Sequence, residues 1–171
     1  MTHRLLLTRP RPDSERFARS LPKAPGPVIS PLMEIVPVDA AVPPKVAGLV
    51  LTSVHGAEGA ARMGLPSGLP AWCVGTRTAE AARATGLQAT VAGGDADGLV
   101  AAILAARPAG PLFHLRGRHA RGDVAARLTA GGVPTADLVV YDQARRPLSA
   151  EARAVLAGPD PVVAPVFSPR S

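Results

Sequence analysis

The chain has 171 residues, of which 47% are hydrophobic and 3% aromatic, and its formal net charge is +6. Nearly all of the basic residues are arginines, they are scattered, and the aromatic side chains on which nucleic-acid bases would stack are scarce. The composition therefore argues against nucleic-acid binding and favours an anionic small ligand, because arginine binds carboxylate and phosphate well.

The start of the chain and its apolar runs indicate the compartment. The first residues lack the length and the cleavage site of a signal peptide, and no apolar run is long enough to cross a bilayer. Cys73, the single cysteine, stands in the apolar stretch "AWCVG" and is interpreted as a buried small hydrophobe. We expect a soluble cytoplasmic protein without membrane contact.

The first segments alternate between strand and helix. An apolar run at residues 3–9 predicts a buried strand, residues 12–21 predict a helix with Asp13 as its N-cap, and "GPVIS" predicts a second strand. Residues 31–38 follow. Their two prolines suit an edge strand or an extended connector, because proline cannot donate to a central ladder.

The pattern then restarts and becomes regular. From residue 47 onward, short apolar strands alternate with helices, the first of which begins at Ser53. A long extended segment at residues 136–146 precedes a helix capped by Ser149 and a final strand in "PVVAPVF". Strict alternation of this kind implies parallel sheets with crossover helices.

The restart predicts an α/β fold made of two parallel-sheet domains. Residues 1–34 begin the first domain, residues 35–141 form an inserted second domain with its connector strands, and residues 142–171 return to the first. The extended pieces 31–38 and 136–146 would form a two-stranded β connector. The first domain is thus discontinuous and incomplete, because it has few elements with which to bury a core.

Hydroxyl-bearing residues follow several predicted strands where a helix begins, as in "LLLTRPRPDS", "LVLTSVHGA", "CVGTRTAEA" and "PVFSPRS". In open parallel sheets, ligands bind at the carboxyl ends of the strands, and helix N-termini attract anions. Such residues also cap helices without any ligand. Both interpretations stay open at this point.

The sequence lacks the motifs of several common binding and catalytic sites. It has no phosphate-binding loop, no dinucleotide-binding glycine motif and no nucleophile elbow. Its four histidines lack the spacing of metal ligands and are interpreted as surface or satisfied core residues. The sequence therefore predicts neither a metal site nor nucleophilic catalysis.

Six segments, taken in order, resemble uroporphyrinogen-III synthase. They are "LLLTRP", "LVLTSVHGAEGAA", "VGTRTAEAARATGLQAT", "GDADGLVAAI", "LRGRHARGDVAARLTAGGVPTADLVVYDQ" and the terminal "VFSPRS". Each is degenerate alone, but the ordered set spans nearly the whole chain. The resemblance implies two α/β domains joined by a two-stranded β-ladder, with the active site in the cleft between them.

The resemblance also implies a reaction. Enzymes of this family are lyases that cyclise hydroxymethylbilane, a linear octacarboxylate tetrapyrrole, with loss of water and inversion of ring D. The product is uroporphyrinogen III, an intermediate of heme biosynthesis. The family uses no metal and no cofactor, so we expect this small-molecule substrate as the partner, no nucleic acid, and a monomer. Helix N-termini, backbone N–H groups and arginines can together hold many carboxylates.

The family's functional positions map onto six residues. Tyr141, the single tyrosine, matches the tyrosine at the domain connector and is the candidate catalytic acid for the leaving hydroxyl, with a structural hinge tyrosine as the alternative. The candidate substrate-binding residues lie at strand ends or helix starts: Arg9, Ser53, Thr78, Gly117 and Ser168. His55 stands where relatives carry proline or a basic residue, so its role stays open.

The sequence departs from the family in length. Family members continue past "FSPRS" with strand–helix units that complete the first domain, so we expect the chain to be C-terminally truncated relative to them. One alternative is a non-catalytic or inactive relative that binds an acidic tetrapyrrole or another polyanion. Another is an unrelated doubly wound α/β domain that binds a phosphorylated metabolite.

Overall fold

The computed structural model describes residues 3–21, 26–120 and 122–167. Its helices are α1 (Arg11–Ser20), α2 (Val54–Arg62), α3 (Thr76–Ala84), α4 (Ala96–Ala106), α5 (Val124–Ala130) and α6 (Ala150–Ala157). Its strands are β1 (Arg4–Leu7), β2 (Val28–Ile29), β3 (Met33–Pro37), β4 (Gly48–Leu51), β5 (Pro70–Cys73), β6 (Gln88–Val91), β7 (Leu112–Gly117), β8 (Thr135–Arg145) and β9 (Val162–Val163).

The strands form two sheets, with the orders β2-β1-β9 and β3-β8-β7-β4-β5-β6. Strand β1 pairs in parallel with β2 and β9, β4 with β5 and β7, β5 with β6, and β7 with β8. The predicted mixed α/β fold with parallel sheets is thereby confirmed. Strand β3 lies at an edge of the larger sheet, as its prolines predict.

The chain divides into two compact units. Unit 1 consists of Met1–Ile35 with Gln143–Ser171, and unit 2 consists of Val36–Asp142. The chain passes between the units within β3 and returns within β8. The two-domain arrangement described from the sequence, with its connector and its boundaries, stays a prediction.

Three of the six described helices begin at a residue whose side chain caps them. Ser53 caps α2 and Ser149 caps α6, each accepting a backbone N–H bond through its hydroxyl, as predicted. The prediction of Asp13 as an N-cap is wrong, because α1 begins at Arg11 after Pro10. Pro12 is well tolerated in the first helical turn, so the N-cap is Pro10, three residues before Asp13, and Asp13 lies inside the helix.

The core of each unit is built from aliphatic side chains. In unit 2 a buried cluster lies between the sheet and helices α4 and α5, and its members are Val50, Ala92, Leu99, Val100, Ile103, Leu112, Val124, Leu128 and Val133. In unit 1 a smaller cluster joins Leu6, Val28 and Ala152. Cys73 is fully buried, which confirms its interpretation as a small hydrophobe.

The last predicted strand is shorter than expected. The segment "PVVAPVF" contributes just Val162–Val163 to the smaller sheet, because Pro161 and Pro165 flank this pair and have no N–H to donate. Among the helices in the described part of the chain, none has the length and apolar character needed to cross a membrane.

Candidate active site

A β-bulge in β8 shapes the candidate site. Along most of the β7–β8 pair each residue faces one partner, but Arg116 pairs with Val139 and the next residue, Gly117, pairs with Tyr141. Val140 is therefore the extra residue of the bulge and has no partner in β7. Both Val140 and Tyr141 are buried. Bulges of this kind re-aim a side chain at the end of a strand.

The bulge is held by hydrogen bonds to the Val140 carbonyl. It accepts one from the Arg62 guanidinium of α2 at 2.7 Å and one from the backbone N–H of Val38 at 3.1 Å. Gly59 of α2 packs directly against the Val140 side chain, where a Cβ would come within 2.4 Å of Cγ2. These contacts fix the position from which Tyr141 projects.

The Tyr141 hydroxyl reaches the start of α2. Its oxygen lies 3.1 Å from the Ser53 Oγ, and that Oγ also accepts the backbone N–H of Gly56 at 3.2 Å. Since the N-terminus of a helix carries a partial positive charge, this position favours negative charge near the phenol. The pair can donate a hydrogen bond or a proton to the oxygen of a leaving hydroxyl group, which departs as water once it is protonated.

Gly117 and His55 complete the surroundings of the Tyr141 ring. A Cβ on Gly117 would come within 2.5 Å of the ring's Cε2, so the ring lies directly over the glycine. The His55 imidazole meets the ring edge to face at 5.4 Å between centroids, and its Nδ1 lies 2.9 Å from the Glu58 carboxylate. The structure therefore brings together Tyr141, Ser53 and Gly117 of the predicted set and adds His55.

Charged groups flank the same strand ends. The backbone N–H of Arg118 donates to the Tyr141 carbonyl at 3.0 Å, and its Nε lies 2.8 Å from Asp142 Oδ2. Arg118 thus stands one residue beyond Gly117, with its guanidinium bound to the residue that follows Tyr141. Arginine at such a position suits a ligand rich in carboxylates.

A polar network around one buried histidine lies on the neighbouring strands, and its partners were not predicted from the sequence. The His114 side chain is 1% exposed, with Nδ1 2.9 Å from Asp137 Oδ1 and Nε2 3.0 Å from Thr52 Oγ1. The second Asp137 oxygen forms an ion pair with Arg116 Nε at 2.9 Å. His114 stands inside the apolar strand "PLFHLRG", and its interpretation as a surface or satisfied core residue is confirmed, since it is buried and both ring nitrogens have partners.

Burial lowers the pKa of His114 below the usual histidine value, although the hydrogen bond and charge of Asp137 oppose the shift.

Burial also raises the pKa of the Cys73 thiol to about 11, with the positive charge of Arg83 opposing. A thiol with so high a pKa is a poor nucleophile at neutral pH. Within the described residues, no group of three or more potential ligands could hold a metal ion.

The other predicted site residues lie elsewhere. Thr78 is in the first turn of α3, 6% exposed, and follows β5 on the side of β4 away from β8. Arg9 belongs to unit 1, where its guanidinium lies 4.4 Å from the ring centroid of Phe167 and 3.6 Å from Asp13. Ser168 lies outside the described residues. The roles of these residues in substrate binding stay predictions.

One open cleft of unit 2 lies apart from this set of residues. It has a volume of ≈ 540 Å³ and is lined by Val42, Pro43, Pro44, Lys45, Val46, Ala47, Leu65, Pro66 and Pro111. Of the predicted site residues that the structure describes, none lines it. The tyrosine site is therefore defined by hydrogen bonds and close packing at the strand ends and not by this cleft.

Known proteins match the chain both in sequence and in fold. A family model described as Uroporphyrinogen-III synthase HemD matches residues 25–171. No curated protein matches. Among solved structures, uroporphyrinogen-III synthetase from Helicobacter pylori 26695 is similar with a TM-score of 0.62 and 15% identity, covering 90% of this chain and 68% of that one.

A mutant uroporphyrinogen III synthase from the extremely thermophilic bacterium Thermus thermophilus is also similar, with a TM-score of 0.53, 15% identity, and coverage of 84% of this chain and 64% of that one. At this identity the likeness shows the fold alone, and the chain spans about two thirds of the length of these proteins. The family model, which includes the segments of Ser53, Gly117 and Tyr141, carries the assignment. The chain belongs to the uroporphyrinogen-III synthase family.

Proposed function

We propose that the chain catalyses the uroporphyrinogen-III synthase reaction, the cyclisation of hydroxymethylbilane with loss of water and inversion of ring D. Membership of the family supports a role in tetrapyrrole biosynthesis. The observation that carries the proposal is the Tyr141 hydroxyl, 3.1 Å from Ser53 Oγ at the start of α2. It is a proton donor at the strand ends, where ligands of parallel sheets bind.

The reaction begins when the bond between carbon and oxygen of the terminal hydroxymethyl group breaks. The departing hydroxide takes a proton and leaves as water, and the pyrrole becomes a reactive azafulvene. Tyr141 donates the hydrogen bond or the proton that this oxygen needs. Because a phenol is a weak acid at neutral pH, its contribution lies at the lower end of general-acid catalysis.

Ring closure then requires control of conformation more than further acid chemistry. A ring carbon attacks the azafulvene to form a spiro intermediate, which fragments and closes again with ring D inverted, and a proton is lost as the ring becomes aromatic. Closure without the enzyme gives the uninverted isomer. Holding the chain of pyrroles in one conformation therefore decides which isomer forms.

Carboxylate binding supplies that control. We assign substrate binding to the predicted residues at strand ends and helix starts, which are Arg9, Ser53, Thr78, Gly117 and Ser168. Of these, Ser53 and Gly117 lie beside Tyr141. Gly117 would act by leaving room for the Tyr141 ring beside the substrate, and the arginines would bind carboxylates in pairs of hydrogen bonds.

The test is to give hydroxymethylbilane to the purified 171-residue chain and to separate the isomers of the product. We expect uroporphyrinogen III to form faster than the spontaneous type I isomer, and heat-denatured chain to give type I alone. If the native chain also gives type I alone at the spontaneous rate, the proposal is wrong. Binding of uroporphyrinogen without turnover would then indicate the non-catalytic polyanion binder.

A further inference from the structure

A chain of polar side chains connects the middle of the sheet to the residue that precedes Ser53. It runs from the Arg116 guanidinium to the Asp137 carboxylate, from there to the His114 imidazole, and ends at the Thr52 hydroxyl. His114 pairs across the sheet with Asp137 of β8 and with Val50 of β4. The strand register therefore places His114 of β7 between residues of β4 and β8.

The protons of this network follow from its partners. A carboxylate oxygen can only accept, so His114 Nδ1 carries the hydrogen that is donated to Asp137. In a neutral imidazole Nε2 then accepts, and the Thr52 hydroxyl donates to it. Because His114 is 1% exposed, bulk water does not compete for its imidazole, and an unpaired Nε2 would lose its hydrogen bond without replacement.

The network ends next to the proposed catalytic group. Thr52 and Ser53 are consecutive, and together they form the turn from β4 into α2. The Thr52 hydroxyl bonds to His114, while the Ser53 hydroxyl bonds to Tyr141 and receives the Gly56 N–H. Two adjacent residues are thus anchored in two different directions, which leaves the turn little freedom.

We infer that His114 is a positioning residue that acts through Thr52 to fix the Thr52–Ser53 turn and so the hydrogen bond between Ser53 and Tyr141. Asp137 orients the imidazole, and Arg116 keeps Asp137 in place by its charge. The consequence for turnover rests on the proposed function, whereas the consequence for the Tyr141 hydroxyl does not. This second consequence can be measured without substrate.

The sequence offers a clean probe of that hydroxyl. Tyr141 is the single tyrosine of the chain, so in protein whose tyrosine is isotope-labelled at the ring carbon Cζ one NMR signal reports on it alone. The test compares Thr52→Val, which keeps the branched shape and removes the hydroxyl, with Thr52→Ser, which keeps the hydroxyl. We expect the tyrosine signal to shift in Thr52→Val and to stay at its native position in Thr52→Ser.

A matched control is Thr129→Val. The Thr129 hydroxyl bonds to the backbone of Thr135, with its oxygen 3.0 Å from the carbonyl and 3.1 Å from the nitrogen, so the variant also loses hydroxyl hydrogen bonds. We expect it to lose stability without shifting the tyrosine signal. A signal that stays in place in Thr52→Val, or that moves in all three variants, overturns the positioning role and leaves His114 a structural core residue.

Turnover gives the second readout. If the proposed function holds, kcat of Thr52→Val falls by up to about 100-fold, as for a misplaced catalytic group, while KM stays near the native value and Thr52→Ser recovers the rate. If the wild-type chain has no activity, the proposed function is contradicted. The positioning role is then decided by the NMR comparison alone. An equal kcat in Thr52→Val and Thr52→Ser, in an active chain, contradicts the inference.

Discussion

The ring of Tyr141 fills the space that a side chain at position 117 would need. A Cβ built on Gly117 comes within 2.5 Å of Cε2, 2.8 Å of Cζ and 3.1 Å of the hydroxyl oxygen. Gly117 does not have a positive φ, so the requirement for glycine comes from this close approach and not from backbone conformation. Position 117 therefore determines where the proposed acid can lie.

Replacement of Gly117 by alanine should push the Tyr141 ring away from Ser53. We expect a loss of about 1–3 kcal/mol in the free energy of unfolding, as for other overpacked sites, together with a fall in turnover. Urea unfolding and isomer analysis measure the two effects. Gly26→Ala is the control, because a Cβ there meets nothing within 4 Å, and an equal response of both variants would contradict the steric explanation.

Removal of the Tyr141 hydroxyl tests its chemical role. Tyr141→Phe keeps the ring that packs over Gly117 and beside His55, so the protein should fold normally. We expect turnover to fall by up to about 100-fold, the lower end of general-acid effects, with product affinity nearly unchanged. Unchanged turnover would show that the hydroxyl does not serve the leaving group.

Two serines that cap helices form a matched pair. Ser53 accepts the N–H of Gly56 at 3.2 Å, and Ser149 accepts that of Ala152 at 3.1 Å. Alanine at either position should lower stability by about 1 kcal/mol, the usual value for a lost N-cap. We expect a large loss of turnover in Ser53→Ala alone, because its hydroxyl also bonds to Tyr141; equal turnover in the two variants would contradict this.

Close packing behind the bulge can be tested through Gly59 and Val140. Gly59→Ala would bring its Cβ within 2.4 Å of Val140 Cγ2, and we expect it to lower the free energy of unfolding by about 1–3 kcal/mol. In the double variant with Val140→Ala the methyl group at 2.4 Å is gone and the Val140 Cβ at 2.7 Å remains, so the strain is relieved in part. Urea unfolding should then show a coupling of about 0.5–3 kcal/mol, and strict additivity would contradict the direct contact.

The buried imidazole predicts a specific pH dependence of stability. Burial lowers the pKa of His114 in the folded state, while Asp137 of β8 and Arg116 of β7 act on it by charge in opposite directions. The unfolded chain therefore binds the proton at higher pH. The contribution of neutral His114 is complete above the unfolded pKa of about 6.5, and it decreases as the pH falls from there toward the folded value.

Urea unfolding of the native chain and of His114→Gln, from about pH 8 to about pH 5, measures this contribution. We expect the native chain to lose more stability on acidification than the variant does. Since three other histidines remain in both proteins, the difference between the two curves belongs to His114. Parallel curves would contradict the effect of burial.

Much of the fold could be predicted because it depends on local patterns. Alternating apolar strands and helices, and caps such as Ser53 and Ser149, are properties of short segments. Pro10 and Asp13 show the weakness of that approach. Aspartate is a preferred N-cap type, but Pro12 suits a first turn that begins at Arg11, so the local sequence fits either start. The apolar segment around Val162–Val163 likewise forms the predicted strand, but the prolines near this pair limit it to two residues.

The candidate site could be predicted in part. Resemblance to the family pointed to Tyr141, Ser53 and Gly117, which the structure brings together. The partnership of His114 with Asp137 and Thr52 could not be predicted, because it depends on which strands are neighbours and on their register. Neither is encoded in any short segment.

The surplus residue at position 140 has a consequence for how β8 can vary. Before it, Asp137 is in register with His114; after it, Tyr141 is in register with Gly117. Strand β8 therefore contributes to two polar arrangements, and the register of its pairing with β7 differs by one residue between them. An inserted or deleted residue between Asp137 and Tyr141 would break one pairing or the other, even if every side chain named here were kept. The spacing of these two residues is thus a constraint as strict as their identity.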